Sequence, residues 1–286
     1  MADGPADGQG VLKPGPFLRL RALAWMVALF VLLAFLASIV PAAKAVLRMP
    51  KAGLGPAGAA LGALLAYAAY IGLVRLVERR WPEEFALRGL PRDLVVGLAL
   101  GTGMFALVFF IQERLGAESL VWDGSLRWGP SLVLNACTGL VEELLFRAVV
   151  FRLLMRAFGP WWALGASAAL FGAAHFMNPH ASLIAGAAIA VEAGLMLAGL
   201  YLATGRLWMS VGAHAAWNFT QGKIFGAAVS GHGLTDSLFF AQPNRLQPDL
   251  VTGGDFGPEA SLPAMLVGLV VFAGALWVWR RRGRQV

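Results

Sequence analysis

What most constrains this chain is an alternation. Apolar runs of membrane-crossing length are separated by segments that carry most of the charge. A run of about 20 apolar residues crosses a bilayer as a helix. In lipid, only a helix or a closed barrel satisfies its own backbone. The runs lie at 18–40, 58–76, 93–112, 132–158, 161–177, 181–203, 207–229 and 263–279. The predicted fold is all-α: a polytopic membrane protein with about eight transmembrane helices in one bundle. A hydrophobic share of 58% and a charged share of only 14% rule against a soluble domain. The runs differ in polar content, so the sequence contains no internal repeat.

The predicted organisation follows. Residues 1–17, rich in Gly, Pro and Asp, are expected to form a disordered tail. Residues 18–127 hold helices one to three, 128–229 a core of helices four to seven, and 262–286 the last helix with a basic tail. Between them, 230–261 reads as an extracytoplasmic loop without apolar periodicity, a solvated connector rather than a lid. An even number of spans puts both termini on one side. Arg19, Arg21 and the arginines from Arg280 to Arg284 mark that side as cytoplasmic. Lys44, Arg48 and Lys51 then fall outside, against the trend. The net charge of +7 sits beside apolar segments, as lipid contact requires, and does not indicate nucleic acid. The single cysteine, Cys137, excludes an internal disulfide and a cysteine-based metal site. It reads as a small buried hydrophobe.

Inside the fourth run lies Val141–Glu142–Glu143–Leu144–Leu145–Phe146–Arg147. An intramembrane charge is costly unless paired or functional. On a helix Glu143 and Arg147 stand at i and i+4, acid first, which makes an ion pair. Glu142 is turned about 100° away and has no local partner. Three further runs carry polar groups: Phe171 and His175, with Asn178 one turn on; Glu192; and His214 with Asn218 at i+4. Gly212, Ala213, Ala215 and Ala216 around His214 permit close helix approach.

Taken singly, each is ordinary: an interhelical histidine, an amide as packing glue, a phenylalanine in the core. Together they are what water activation needs. A carboxylate takes the proton and an imidazole positions the water. A second imidazole and an amide can hold the oxyanion. Glu142, His175 and His214 can also ligate zinc with an open position, so the residues alone leave metal and metal-free chemistry open. No His-Glu-x-x-His motif is present. Ser167, Ser182 and Ser210 lack a nucleophile-elbow context. His180 and His232 fall in loops. Glu192 is not assigned a role.

Glu142–Glu143–x–x–x–Arg147, Phe171–x–x–x–His175 and His214–x–x–x–Asn218 resemble, in order, the three motifs of the CPBP family. That family comprises CAAX prenyl endopeptidase relatives and the bacteriocin-processing or immunity proteins called Abi. The resemblance covers roughly residues 132–222. It implies an intramembrane endopeptidase in which Glu142 and His175 activate water and His214 and Asn218 form the oxyanion hole. Glu143, Arg147, Phe171 and Asn178 would support them. It implies a glutamic mechanism without a cofactor, zinc remaining the alternative. The expected partners are membrane lipid and a peptide or protein substrate, and no oligomeric state follows. The expected location is a bacterial inner membrane. Other readings are a C-terminal sorting-signal protease, a non-catalytic immunity or scaffold protein, and a proton-coupled transporter. The last would need matching broken half-spans, which the sequence lacks.

Overall fold

The computed structural model describes residues 9–46, 55–233 and 236–283. It begins with α1 (Leu18–Val46), α2 (Gly55–Leu73, continuing as a π-helical turn Val74–Glu78) and α3 (Leu90–Arg114). A strand, β1 (Glu118–Trp122), follows. One rod then runs through α4 (Trp128–Glu143), a π-helical stretch Leu144–Phe151 and α5 (Arg152–Phe158). Gly159, at φ +85°, and Pro160 turn the chain into α6 (Pro160–Ala174). A second broken rod joins α7 (Leu183–Ile189), π-helical Ala190–Leu195 and α8 (Met196–Thr204). The chain ends with α9 (Trp208–Phe219), a π turn Thr220–Ile224, β2 (Phe239–Pro243), the short α10 (Asp249–Thr252) and α11 (Leu262–Gly283).

Among the described residues, five helices are long and apolar enough to cross a membrane: Leu18–Ile39, Gly55–Glu78, Leu90–Arg114, Leu183–Thr204 and Leu262–Gly283. The protein is an integral membrane protein built on helices. The other three expected spans correspond to the segments that carry most of the candidate residues, and these differ for a physical reason. α6 has 15 residues and α9 has 12. The rod from Trp128 to Phe158 carries Glu142, Glu143, Arg147, Arg152 and Arg156. Charge of that kind needs protein rather than lipid around it. Accordingly every residue from Leu144 to Phe151 is buried, at the centre of a core that includes Tyr70, Leu153, Phe171 and Tyr201.

Small residues set the position of α9. A Cβ on Gly97 or Gly101 of α3 would strike the carbonyls of Met209 and Ala213. On the other side, Gly139 of α4 lies against Val211 and Ala215. The helix that carries His214 is thus held at backbone contact between α3 and α4.

The structure departs from the sequence reading in three places. Residues 9–17, expected within a disordered tail, include a 3-10 turn at Gly10–Leu12. Leu12 is buried, and its carbonyl accepts from Arg156 Nη2 at 3.2 Å. A single buried leucine leaves no periodic signal. The rest of that tail, the linker positions Arg48 and Lys51, and Arg284 lie outside the described residues. The fold is also not purely helical. β1 and β2 pair antiparallel, with Glu118 opposite Pro243 and Trp122 opposite Phe239. Lastly, the segment from Ser230 onward is not a solvated connector. Phe256, Glu259, Ala260 and Ser261 are all buried against the bundle.

Charges of the loop after α2 join Arg152 in a closed internal network. Arg152 donates to both Glu78 oxygens, at 2.7 and 2.9 Å. Arg80 bridges Glu78 at 2.7 Å and Glu84 at 2.8 Å. Trp25 donates to Glu78 at 2.9 Å, and the Tyr70 hydroxyl donates to Glu84.

Candidate active site

The candidate residues sit where helices change pitch. Glu142 and Glu143 end α4, directly before the π stretch that contains Arg147. Asn218 lies two residues before the π turn Thr220–Ile224. A π segment widens the helix and leaves carbonyls free to bond elsewhere. Arg147 uses this across the bundle: its Nη2 donates to the carbonyls of Ala193 and Gly194, at 2.9 and 3.4 Å, inside the π segment Ala190–Leu195. Its Nη1 donates to Glu143 Oε1 at 3.1 Å.

Glu143 has a second partner, which its spacing in sequence did not announce. The same Oε1 lies 2.8 Å from His214 Nδ1. Glu143 therefore ties α4 to α9 and fixes the imidazole ring. With Nδ1–H donated to the carboxylate, His214 Nε2 is the nitrogen left for chemistry. It lies 3.7 Å from Glu142 Oε2. That is too long for a direct hydrogen bond and short enough for one water to touch both.

His175 is held differently. It sits just past the last residue of α6, where helix carbonyls lack partners. Its Nδ1 meets the carbonyl of Phe171 at 2.8 Å. A carbonyl only accepts, so Nδ1 carries the hydrogen, and Nε2 of the neutral ring keeps its lone pair. Phe171 fills the space behind. Its ring takes the Arg147 guanidinium on one face at 4.6 Å and stands 4.8 and 6.2 Å from the two imidazoles.

Glu142, His175, His214 and Asn218 all line one cavity of about 380 Å³, and Asn178 lines it too. The Glu142 side chain is 32% exposed while that of Glu143 is fully buried, so the two adjacent acids face different surroundings. A smaller chamber of about 20 Å³, near the size of one water, adjoins it. Phe171, His175, Glu192, His214, Asn218 and Glu259 line this chamber. Glu192 Oε2 is buried there without a hydrogen-bond partner. Gly268 of α11 lies against Glu192, where any Cβ would collide with its backbone.

The structure does not draw all the polar candidates into one group. Among the described residues, no group of three or more His, Cys, Asp or Glu side chains could hold a metal ion. The zinc set Glu142, His175 and His214 shares a cavity wall without forming such a group. His180 is exposed. His232 is exposed too, and it also lines the cavity.

Sequence reasoning missed Ser230, Lys223 and Glu259. Ser230 and Lys223 line the main cavity. The backbone N–H of Ser230 donates to Glu259 Oε1, as does its hydroxyl, at 3.0 Å. Burial pushes the Glu259 carboxyl above the ordinary range, against the opposing pull of His175 and these hydrogen bonds. The only signal in sequence was a lone acid three residues before an apolar run.

Residues 124–220 match the family model described as type II CAAX prenyl endopeptidase Rce1-like. Over that stretch, about a third of its length, the chain is similar to the CPBP/CAAX protease family. The matched stretch runs from just before α4 through α9 and contains Glu142, Glu143, Arg147, His175, His214 and Asn218. The family is one of proteases, and its CAAX-processing character agrees with a membrane-embedded chain. The Rce1-like match ends before Ser230 and Glu259. The chain matches no curated protein and no solved structure.

Proposed function

We propose that the protein is an intramembrane endopeptidase that hydrolyses peptide bonds of membrane-associated or exported substrates with a water activated by Glu142 and His175. The observation that carries this reading is the convergence of Glu142, His175, His214 and Asn218 on one cavity. The Glu142 carboxylate takes a proton from water as the oxygen attacks the scissile carbonyl. His175 Nε2 accepts the second water hydrogen and holds the attacking oxygen in line. Negative charge then develops on the carbonyl oxygen, where Asn218 Nδ2–H and a protonated His214 Nε2–H donate. Glu142 passes its proton to the leaving amine, and the C–N bond breaks. Glu143 and Arg147 are positioning residues: one orients His214, the other balances Glu143.

In this reading the mechanism is glutamic, and a chelator leaves cleavage unchanged. Loss of activity on chelation, restored by zinc, would reverse that assignment. A CAAX-type substrate carries a prenylated C-terminal cysteine. In a bacterial inner membrane with cytoplasmic termini, the substrates fitting this site are leader peptides or C-terminal anchors of exported proteins. The decisive test is Glu142→Gln. It should remain folded in the membrane and lose cleavage of substrates identified by comparing the membrane proteomes of deletion and wild-type cells. Undiminished cleavage by that variant would overturn the assignment of Glu142 as the base.

A further inference from the structure

Beside the active cavity lies a second pocket, of about 200 Å³, outside the segment matched to the family. Ala227 and Gly233 line both, so the two are adjacent. Its walls are mainly apolar: Ala228, Phe240, Ala241 and Pro258. Gly226 and Gly257 close the sides with bare backbone. Both have positive φ, and a Cβ on either would strike a neighbouring carbonyl.

One group in this pocket does not fit an apolar lining. Glu118, the first residue of β1, is 6% exposed, and its Oε2 has no hydrogen-bond partner. Its opposite number across the sheet is Pro243, which has no N–H to offer. The other acid on the wall, Asp255, pairs with Arg245 at 3.0 Å. A buried carboxyl left without a donor is costly. A ligand that brings a donor removes that cost.

We infer that this pocket is a subsite for a cationic alkyl group, the side chain of a lysine or arginine in the substrate peptide. The apolar walls take the methylene stem, and Glu118 takes the charged head. Adjacency to the main cavity places that side chain a short distance along the peptide from the scissile bond. The substrate half of this inference rests on the endopeptidase reading; the binding half does not. Burial alone pushes the Glu118 carboxyl up to about 7, so a bound cation would also draw it into the ionised form.

The test has two arms, both on the full-length protein in detergent micelles. First, n-butylguanidinium and the uncharged n-butylurea are titrated and followed by ligand-detected NMR. Wild type should favour the cation by about tenfold or more, as one charge-assisted hydrogen bond provides. Glu118→Gln should erase the preference. Ala228→Leu, which narrows the pocket and leaves Glu118 in place, should weaken both probes. Glu142→Gln should keep the preference, which separates this subsite from the proposed chemistry. Equal binding of the two probes by wild type, or a preference that survives in Glu118→Gln, would overturn the proposal. Second, a peptide library with lysine, arginine or norleucine at each position near the cut is digested. Selection of the basic residues, lost in Glu118→Gln, assigns the pocket to the substrate. Cleavage indifferent to charge would overturn the substrate half and leave a free small cation as the occupant. If no peptide is cut by wild type, the endopeptidase reading fails while the binding arm still decides the subsite.

Discussion

Two buried charge clusters stand in this bundle, and they are built on opposite principles. Around Arg152, two acids meet two bases. Every oxygen of Glu78 and Glu84 has a donor, from Arg80, Arg152, Trp25 or Tyr70. Around Arg147, three acids, Glu142, Glu143 and Glu192, surround one base. Glu143 Oε2 and Glu192 Oε2 are buried without partners, and Glu142 opens onto a cavity. The first cluster is neutral and sealed. The second leaves carboxyl oxygens without donors beside space for water. A saturated network has nothing left to give a substrate; an unsaturated one beside a cavity does.

Substitution should separate the two. Glu142→Gln removes the base and leaves the packing, so cleavage should fall by about 10²- to 10⁴-fold while the melting temperature stays. Glu78→Gln should do the reverse. It leaves Arg152 and Arg80 to share the single carboxylate of Glu84 in the interior, which costs about 3–5 kcal/mol. The folded remainder should keep normal kcat. Thermal unfolding in detergent, measured alongside cleavage on the same samples, checks both. A Glu142 variant that melts early, or a stable Glu78 variant that is inactive, would dissolve the distinction. Glu143→Gln should fall on both axes, because its carboxylate binds Arg147 and His214 together.

The two clusters were unequally legible. Glu143 with Arg147, and His214 with Asn218, are i and i+4 pairs within apolar runs, and helical geometry makes each readable from spacing. Glu142 was identified as the spare acid by the same logic. The contact between Glu143 and His214 joins residues 71 apart, and no local pattern encodes it. The contacts of the sealed cluster are not readable from spacing, because Glu78 and Arg152 lie 74 residues apart. Without that contact the charges look solvated. The segment from Ser230 to Ser261 was misread. Its burial comes from glycines at positive φ, such as Gly231 beside the Pro179 carbonyl and Gly257 beside that of Ala228. That kind of packing has no apolar period.

Within the open cluster, a smaller effect tests the division of labour. Asn218→Ala removes one oxyanion donor and should lower kcat by about 10²- to 10³-fold, with KM little changed. His214, on the same helix, keeps its bond to Glu143 in that variant, so stability should hold. Single-turnover cleavage with saturating substrate reads this directly. A change confined to KM would mean that Asn218 binds the peptide in the ground state and does not stabilise the oxyanion.

Glu118 belongs to neither cluster and gives the mildest test of what an unpaired buried acid does to this fold. Its folded-state carboxyl stands at about 7 because of burial, above the ordinary value near 4.3. Below about pH 4 the group is protonated in both states and contributes nothing. Between that point and pH 7 the unfolded chain releases the proton and the folded protein holds it. The folded state therefore binds more protons, and stability falls as pH rises. The loss levels off above pH 7 at up to about 4 kcal/mol, since each pKa unit corresponds to about 1.4 kcal/mol. Glu118→Gln should flatten that slope and leave the protein more stable than wild type at pH 8. An identical slope in the variant would place the pH dependence elsewhere, with Glu259 as the next group to replace.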